Sequence, residues 1–479
     1  MWAQVMGGRG VYASALGCAL DGKTDDTERL NAVLATATAE RPVHLVLDGM
    51  AAVHGLVLAA GGHTTIEGIG WDSGIVILPG SNGDGVRIGP LPGDGEGSGK
   101  AGPMTASRIT LRNMQINGNR GANLTKTQDG GGTTPEGRGV YGVLLTNVRE
   151  VLVEYVTFVN APLYSLCLGN CAGVQVRGCR FVCKRDGIHV DGPASDLIIE
   201  DCHFETNDDA IALNAPEGHT GDINDVRISR CYVQNAWTLL RIYTSLKGIP
   251  GNTHRVRRVV VSDCTGATDS PCFNLGIESD GASAAPGQVE DVLISGCELS
   301  CNDGFAVVRT PFESLTFRDC TWHAPALSRS IGIRVYGQVT ELVLDNFTVL
   351  RNEEGHEVVV PIEISSPVEE LVLQGVRVVD LEGANYAPLP FWLNLLAMVT
   401  RLRIESLSMT HVRAILNPAM MEWGRVADGG VCGAGVLGTG MPIPDRAVGD
   451  GVMYLSAESG RVSVKEAGVV RSVALKQQG

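Results

Sequence analysis

Three aspartates in this 479-residue chain have the type and spacing for proton-transfer chemistry. The segment Lys184-Arg185-Asp186-Gly187-Ile188 is answered, 23 residues later by subtraction, by Asn207-Asp208-Asp209-Ala210-Ile211. If the two segments lie on successive turns of a repeating structure, Asp186 and Asp209 share one position and Asp208 adjoins them. Stacked strands would then hold their backbones about 4.8 Å apart. Carboxylates that close repel, so at least one pKa rises and one acid can keep a proton while its neighbours stay ionised. Cleavage of a glycosidic bond needs that division of labour, with an acid for the leaving oxygen and a base for water. Each Asp alone is an ordinary turn residue. The triple at one repeat spacing is what points to chemistry.

The repeat that must position these acids is legible. One ten-residue phrase returns at 172–181 (AGVQVRGCRF), 195–204 (SDLIIEDCHF), 224–233 (NDVRISRCYV), 257–266 (RRVVVSDCTG), 290–299 (EDVLISGCEL) and 313–322 (ESLTFRDCTW). Cys179, Cys202, Cys231, Cys264, Cys297 and Cys320 fall in one column, at intervals of 23, 29, 33, 33 and 23 residues by subtraction. A short repeat with variable insertions is a solenoid, and period-two alternation makes its units strands. The expected fold is an all-β, right-handed parallel β-helix. Its cysteines read as small side chains stacked in a narrow core, reduced and without metal, a column continued by Met114, Val156, Phe347, Val376 and Leu407. Residues 1–106 should form an N-terminal cap with the first coils, including a short helix after Asp26 or Thr27. Residues 107–423 should form the regular β-helix, with residues 80–102 a glycine-rich loop before it. Residues 424–479 should form a small C-terminal β module.

A second strand aligns in each coil, at 163–168, 187–191, 210–214, 239–243, 272–276, 305–309 and 332–336. With Ile188, Val190, Ile211 and Leu213 inward, alternate residues face out. One outward column reads Leu166, His189, Ala212, Arg241, Asn274, Val307, Arg334, and the next Leu168, Asp191, Asn214, Tyr243, Gly276, Arg309, Tyr336. These columns predict a wet groove walled by the insertions at 215–223, 245–255 and 279–289. His189, Asp191, Asn214, Arg241, Tyr243, Asn274, Arg309 and Tyr336 become candidate substrate contacts, with Lys184 and Arg185 beside the acids.

The segment KRDGIHVDGPASDLIIEDCHFETNDDAIALN resembles the active-site coils of family 28 glycoside hydrolases, the polygalacturonase group, within the pectate-lyase-like superfamily. The segment GCALDGKTDDTERLNAVL is similar to the entry motif of that superfamily, which includes phage tailspikes. Asp186 matches the Asp of the family's Asn-Thr-Asp-Gly, and Asp208-Asp209 match its Gly-Asp-Asp. The resemblance implies Asp208 as general acid, Asp186 and Asp209 as holders of the attacking water, and single displacement with inversion. Three departures imply an altered sugar preference. No His stands at Ala236-Trp237-Thr238, where the family has Gly-His-Gly. Arg241-Ile242-Tyr243 echoes Arg-Ile-Lys about one coil early. Lys184-Arg185 replaces Asn-Thr. A lyase or epimerase on this scaffold would use Arg241 or Lys184 as base, with Ca²⁺ at Asp186, Asp191 and Asp209. A glycan-binding tailspike-like protein would not cleave at all, and the C-terminal segment faintly resembles small modules of phage tail proteins.

The composition fits a thin, turn-rich solenoid, with 61 glycines and 5% aromatics. The formal charge of −15, with no basic stripe, argues against nucleic acid. No 18-residue apolar run predicts a membrane span. The expected partner is a polysaccharide or oligosaccharide, bound by a monomer or homotrimer without a cofactor. The first residues lack signal-peptide character, so synthesis in the reducing cytoplasm is expected, with virion-associated or extracellular destinations open.

Overall fold

The computed structural model describes residues 10–81, 83–88, 103–105, 107–123, 140–217, 221–245, 254–276, 288–301, 303–324, 331–351, 360–380, 393–409, 435–436, 453–455, 462–466 and 469–472. It contains two compact units, Met1–Val259 and Val260–Gly479.

In the first unit every strand pairs in parallel with its counterpart one coil away. One ladder runs through Val43–Leu47, Thr64–Gly68, Ile109–Arg112, and the second halves of Val143–Glu154, Leu166–Arg177 and Ile188–Glu200 to Ile223–Ser229. A second runs from Leu56–Leu58 and Val86–Ile88 through the first halves of the same long strands to Ile211–Asn214 and Leu240–Tyr243. A third links Met50–Val53, Gly74–Ile77, Gln115–Asn117, Thr157–Val159, Arg180–Cys183, His203–Thr206 and Tyr232–Asn235. Three strands per coil, each hydrogen-bonded only to its neighbours above and below, make a parallel β-helix. Val86–Ile88 lies inside the stretch read as a loop, because three alternating residues among glycines give too short a period to detect.

The second unit repeats the plan. One of its ladders comprises Val289–Ser295, Phe312–Arg318, Val339–Asp345, Val368–Gln374 and Val399–Ile404. Its C-terminal strands Met453–Leu455, Val462–Glu466 and Val469–Ser472 form an antiparallel sheet. Among the described residues no helix is long and apolar enough to cross a membrane.

The repeated phrase encodes a corner. The residue before the column position has positive φ in ten coils: Asn113, Tyr155, Gly178, Asp201 and Arg230 in the first unit, and Asp263, Gly296, Asp319, Asn346 and Gly375 in the second. This left-handed residue turns the chain from one sheet to the next and points its successor inward. Each column cysteine is buried, and its Sγ donates to the carbonyl two residues earlier, at 3.2–3.5 Å in all six coils. A thiol is small and apolar enough for the core yet supplies a weak second donor to a carbonyl that, as at Arg177, Glu200, Ser229, Ser295 and Arg318, also accepts the corner N–H of the preceding coil. Met114, Val156, Phe347 and Val376 continue the buried column, whereas the side chain of Leu407 lies outside the described residues. All twelve cysteines among the described residues are buried. Titration of the native protein with a thiol reagent should therefore label the column slowly, and all of it at once on unfolding. Prompt labelling of the six would show that the corner is open.

Inside the first unit, Phe158, Phe181 and Phe204 stack one per coil with centroids 4.9 Å apart. The helix Thr27–Leu34 buries Leu30 and Leu34. Asp26 stands at its N-cap but makes no side-chain cap bond. Its carboxylate instead accepts the backbone N–H groups of Ala19 and Leu20 at 2.7 and 3.0 Å, tying the preceding loop to the helix.

Candidate active site

The three acids are built by the ladder. The backbone N–H of Ser165 donates to the carbonyl of Asp186, that of Gly187 to Asp209, and that of Ala210 to Thr238, at 2.8–3.0 Å. Asp186 and Asp209 therefore occupy one position in adjacent coils, with Thr238 next in the column. Carboxylate oxygens of Asp186, Asp208 and Asp209 lie within 4.8 Å of one another. Asp186 and Asp209 are buried, while the Asp208 side chain is 21% exposed. Two arginines meet this charge. Arg241 Nε is 2.7 Å from Asp209 Oδ2, and its Nη2 is 3.7 Å from Asp186 Oδ2. Arg185 donates to Asp208 Oδ2 at 2.8 Å. No donor among the described residues reaches Oδ1 of Asp186 or Oδ1 of Asp209. Buried oxygens without donors are expensive in a folded protein and mark sites of function. A divalent cation could fit between the three acids, although Arg241 already brings positive charge to Asp209.

Burial pushes the Asp208 carboxyl up, and the charge of Asp186 adds to this against the opposing Arg185. Burial raises Asp209 much further, with Arg241 opposing and the other two acids adding. A carboxyl whose pKa is pushed up while it still reaches solvent is the arrangement a general acid needs.

His189 adds a second layer. Its Nδ1 is 2.7 Å from Asp186 Oδ2, and its Nε2 is 3.1 Å from Asp191 Oδ1 and 3.0 Å from Glu217 Oε2. The ring is buried and stacks on Tyr164, with centroids 3.9 Å apart and planes within 6°. Burial alone would lower its pKa, but the bonds to Asp186, Asp191 and Glu217 outweigh burial and raise it well above the usual value. Burial would raise Glu217, but the bond and charge of His189, the charge of Arg241 and the Asn214 bond together outweigh it and lower the carboxyl. The signs define a pH window. The stabilisation from raised His189 is complete below its unfolded pKa of about 6.5 and is lost as pH rises through the folded value. That from lowered Glu217 is present above about 4.3 and is lost as pH falls through the folded value. The unfolding midpoint should therefore decline from about pH 6 into the alkaline range. His189→Gln, scanned by circular dichroism, should shrink that decline, and an unchanged decline would show that His189 carries no charge here.

These contacts correct the expected wet groove. In the first unit His189, Asp191, Asn214 and Ala212 are buried, beneath Tyr164 and the segment carrying Glu217. Asn214 Nδ2 donates to Glu217 Oε2 at 3.0 Å. The first coil is also shifted by one residue: Cys167 and Gly169, not Leu166 and Leu168, pair with His189 and Asp191. Asp191 belongs to the His189–Glu217 cluster, apart from the three acids with which a cation was expected to group it. Arg241 and Tyr243 are half-buried, and the guanidinium lies 4.4 Å from the Tyr243 ring centroid, occupying a face expected to meet sugar. Lys184 is exposed. Asn274, Arg309 and Tyr336 lie in the second unit, where Arg309 donates to Asn274 Oδ1 at 2.7 Å and Tyr336 is exposed. Tyr164 and Glu217 were not singled out from the sequence. Tyr164 sits just before its strand, and Glu217 sits on an insertion whose path alternation does not reveal.

Stacked coils, corner residues and an acid cluster just before one column of strands define a solenoid with a candidate site. The chain belongs to the family of the right handed beta helix region, matched over residues 104–359. A polygalacturonase of Chamaecyparis obtusa is 33% identical over 69 residues, which span 14% of this chain and only 13% of that protein. The N-terminal fragment of bacteriophage Phi29 gene product 12 is similar in structure, with a TM-score of 0.62 at 12% identity over 85% of this chain and 71% of that one. Tailspike protein 3 of bacteriophage CBA120 gives 0.54 at 12% identity over 98% and 70%. At such identities the structural likeness is one of fold.

Proposed function

We propose that this protein is a glycoside hydrolase acting on a polysaccharide or oligosaccharide through Asp186, Asp208 and Asp209. The observation that carries this reading is the convergence of three carboxylates in one coil register, with a partly exposed Asp208 of raised pKa beside two buried acids whose Oδ1 atoms lack donors. Asp208 delivers its proton to the glycosidic oxygen. Asp186 and Asp209 hold the attacking water, and Asp186 takes its proton as the water oxygen bonds the anomeric carbon, with Arg241 and His189 fixing the carboxylates from behind. The stacking distance sets the carboxylate separation whatever the stereochemistry, so inversion rests on the resemblance to family 28.

The ion pair between Arg185 and Asp208 favours a second reading, a protein that holds a glycan without cutting it, because the pair caps the one accessible acid. Incubation with a panel of polysaccharides, read for new reducing ends and for ultraviolet absorbance together, separates the cases. New reducing ends without absorbance support the hydrolase. New absorbance marks a lyase. Retention of the glycan at unchanged chain length marks the binding protein.

A further inference from the structure

Away from the acids, the first unit carries a cleft of about 660 Å³, a size typical of small-ligand sites. Large side chains stand in water around it. Trp71 is 80% exposed, Tyr155 64%, Ile69 63% and Tyr12 51%. Trp71 projects from a tight turn in which Gly70 N–H donates to Ser73 Oγ, and Ser73 N–H and Oγ–H both donate to the Gly70 carbonyl. Its position is therefore fixed, while its ring gains little burial from the fold.

Tyr155 breaks the local rule of the coil. It occupies the left-handed corner, with φ 52°, where the other coils of this unit place Asn113, Gly178, Asp201 and Arg230. A ring is an unfavourable choice at positive φ. Gly178, one coil on, leaves room for it, since a Cβ there would lie 2.7 Å from Tyr155 Cε1. A residue that is locally unfavourable, half in solvent and given space by its neighbour is one whose reason lies outside the fold.

The floor of the cleft is polar but carries no bare charge. Glu67 pairs with Arg112 at 2.8 Å and His44 at 2.9 Å, and accepts from Asn113 at 3.3 Å. Aromatic faces standing apart over a neutralised polar floor suit a pyranose ring, which offers C–H groups to the rings and hydroxyls to the floor. A continuous aliphatic strip, as a helix or a second protein would need, is not what these residues make.

We infer that this cleft is a non-catalytic binding site for a neutral oligosaccharide, with Trp71 and Tyr155 as its stacking platforms. The inference does not depend on the chemistry of the aspartates. The test uses the full chain and calorimetric titration with cellohexaose, xylohexaose, mannohexaose and maltohexaose, with hexagalacturonate as the acidic comparison. At least one neutral probe should bind. Trp71→Ala should weaken it about tenfold or more, and Tyr155→Asn should do likewise. Tyr155→Asn restores a residue type used at the other corners, so its unfolding midpoint should not fall. Asp208→Asn should bind as the parent does. Four outcomes overturn the proposal: no binding of any neutral probe, binding that survives both aromatic substitutions, binding lost in Asp208→Asn, or self-association in sedimentation that Trp71→Ala abolishes while glycans remain unbound.

Discussion

Asp208→Asn is expected to lower turnover of a cleaved glycan by about 10²–10⁴, the range for losing one acid or base, while leaving the fold intact. The amide keeps an oxygen for Arg185 Nη1 and suits the same turn, but cannot give up a proton to a leaving oxygen. Asp186→Asn and Asp209→Asn should cost turnover on the same scale, through the loss of water activation. The three effects should not add, because the groups act as one unit. Single-turnover kinetics on purified variants, with circular dichroism as the check on folding, measures this. Full activity in Asp208→Asn would remove it as the acid, and the glycan-holding reading would then lead.

The second large effect concerns stability. Arg241 is the guanidinium set against both buried acids, 2.7 Å from Asp209 and 3.7 Å from Asp186. Arg241→Leu leaves Asp209 without its cation in the interior, Asp186 keeping His189, and breaking a buried pair costs about 3–5 kcal/mol. The unfolding midpoint should fall by several degrees. Asp209→Asn placed on the same chain should restore much of the loss, because it removes the orphaned charge itself, and the cycle of single and double variants isolates the coupling. If Arg241→Leu melts as the parent does, the pair is not holding these coils together. A double variant no better than Arg241→Leu would assign the loss to stacking of the guanidinium on Tyr243.

The elements were readable to different depths. Period-two alternation and the cysteine column located the coils, because a residue before each column position must adopt positive φ and only some types do so cheaply. The same periodicity put Asp186 and Asp209 in register and turned Arg309 and Tyr243 away from the core. It failed where alternation is absent. Residues 163–168 read Leu-Tyr-Ser-Leu-Cys-Leu, and apolar residues on both faces leave the parity undetermined, so the first coil was placed one residue out. It failed again where a contact is made across the pattern. Glu217 reaches His189 from an insertion, and Tyr164 covers the ring from the approach to its strand. Together they convert an expected open face into a closed cluster. The carboxylate of Asp26 was similarly predicted for the helix it precedes, but backbone donors in the loop before it compete successfully.

The backbone bond from Gly187 N–H to the Asp209 carbonyl has a consequence for how such a protein can change over generations. It fixes the three acids upstream of residue 215, the point where the chain departs into its first insertion. Lengthening, shortening or replacing that insertion past Glu217, which is tied to His189, alters what lies over the site, but the ladder behind it keeps the acids at the same separation. The chain can thus accumulate substitutions and length changes over the acid cluster while the acids themselves stay put. Shuffled loops grafted after Glu217 should for the same reason yield folded variants far more often than insertions of equal length placed between Asp186 and Asp209.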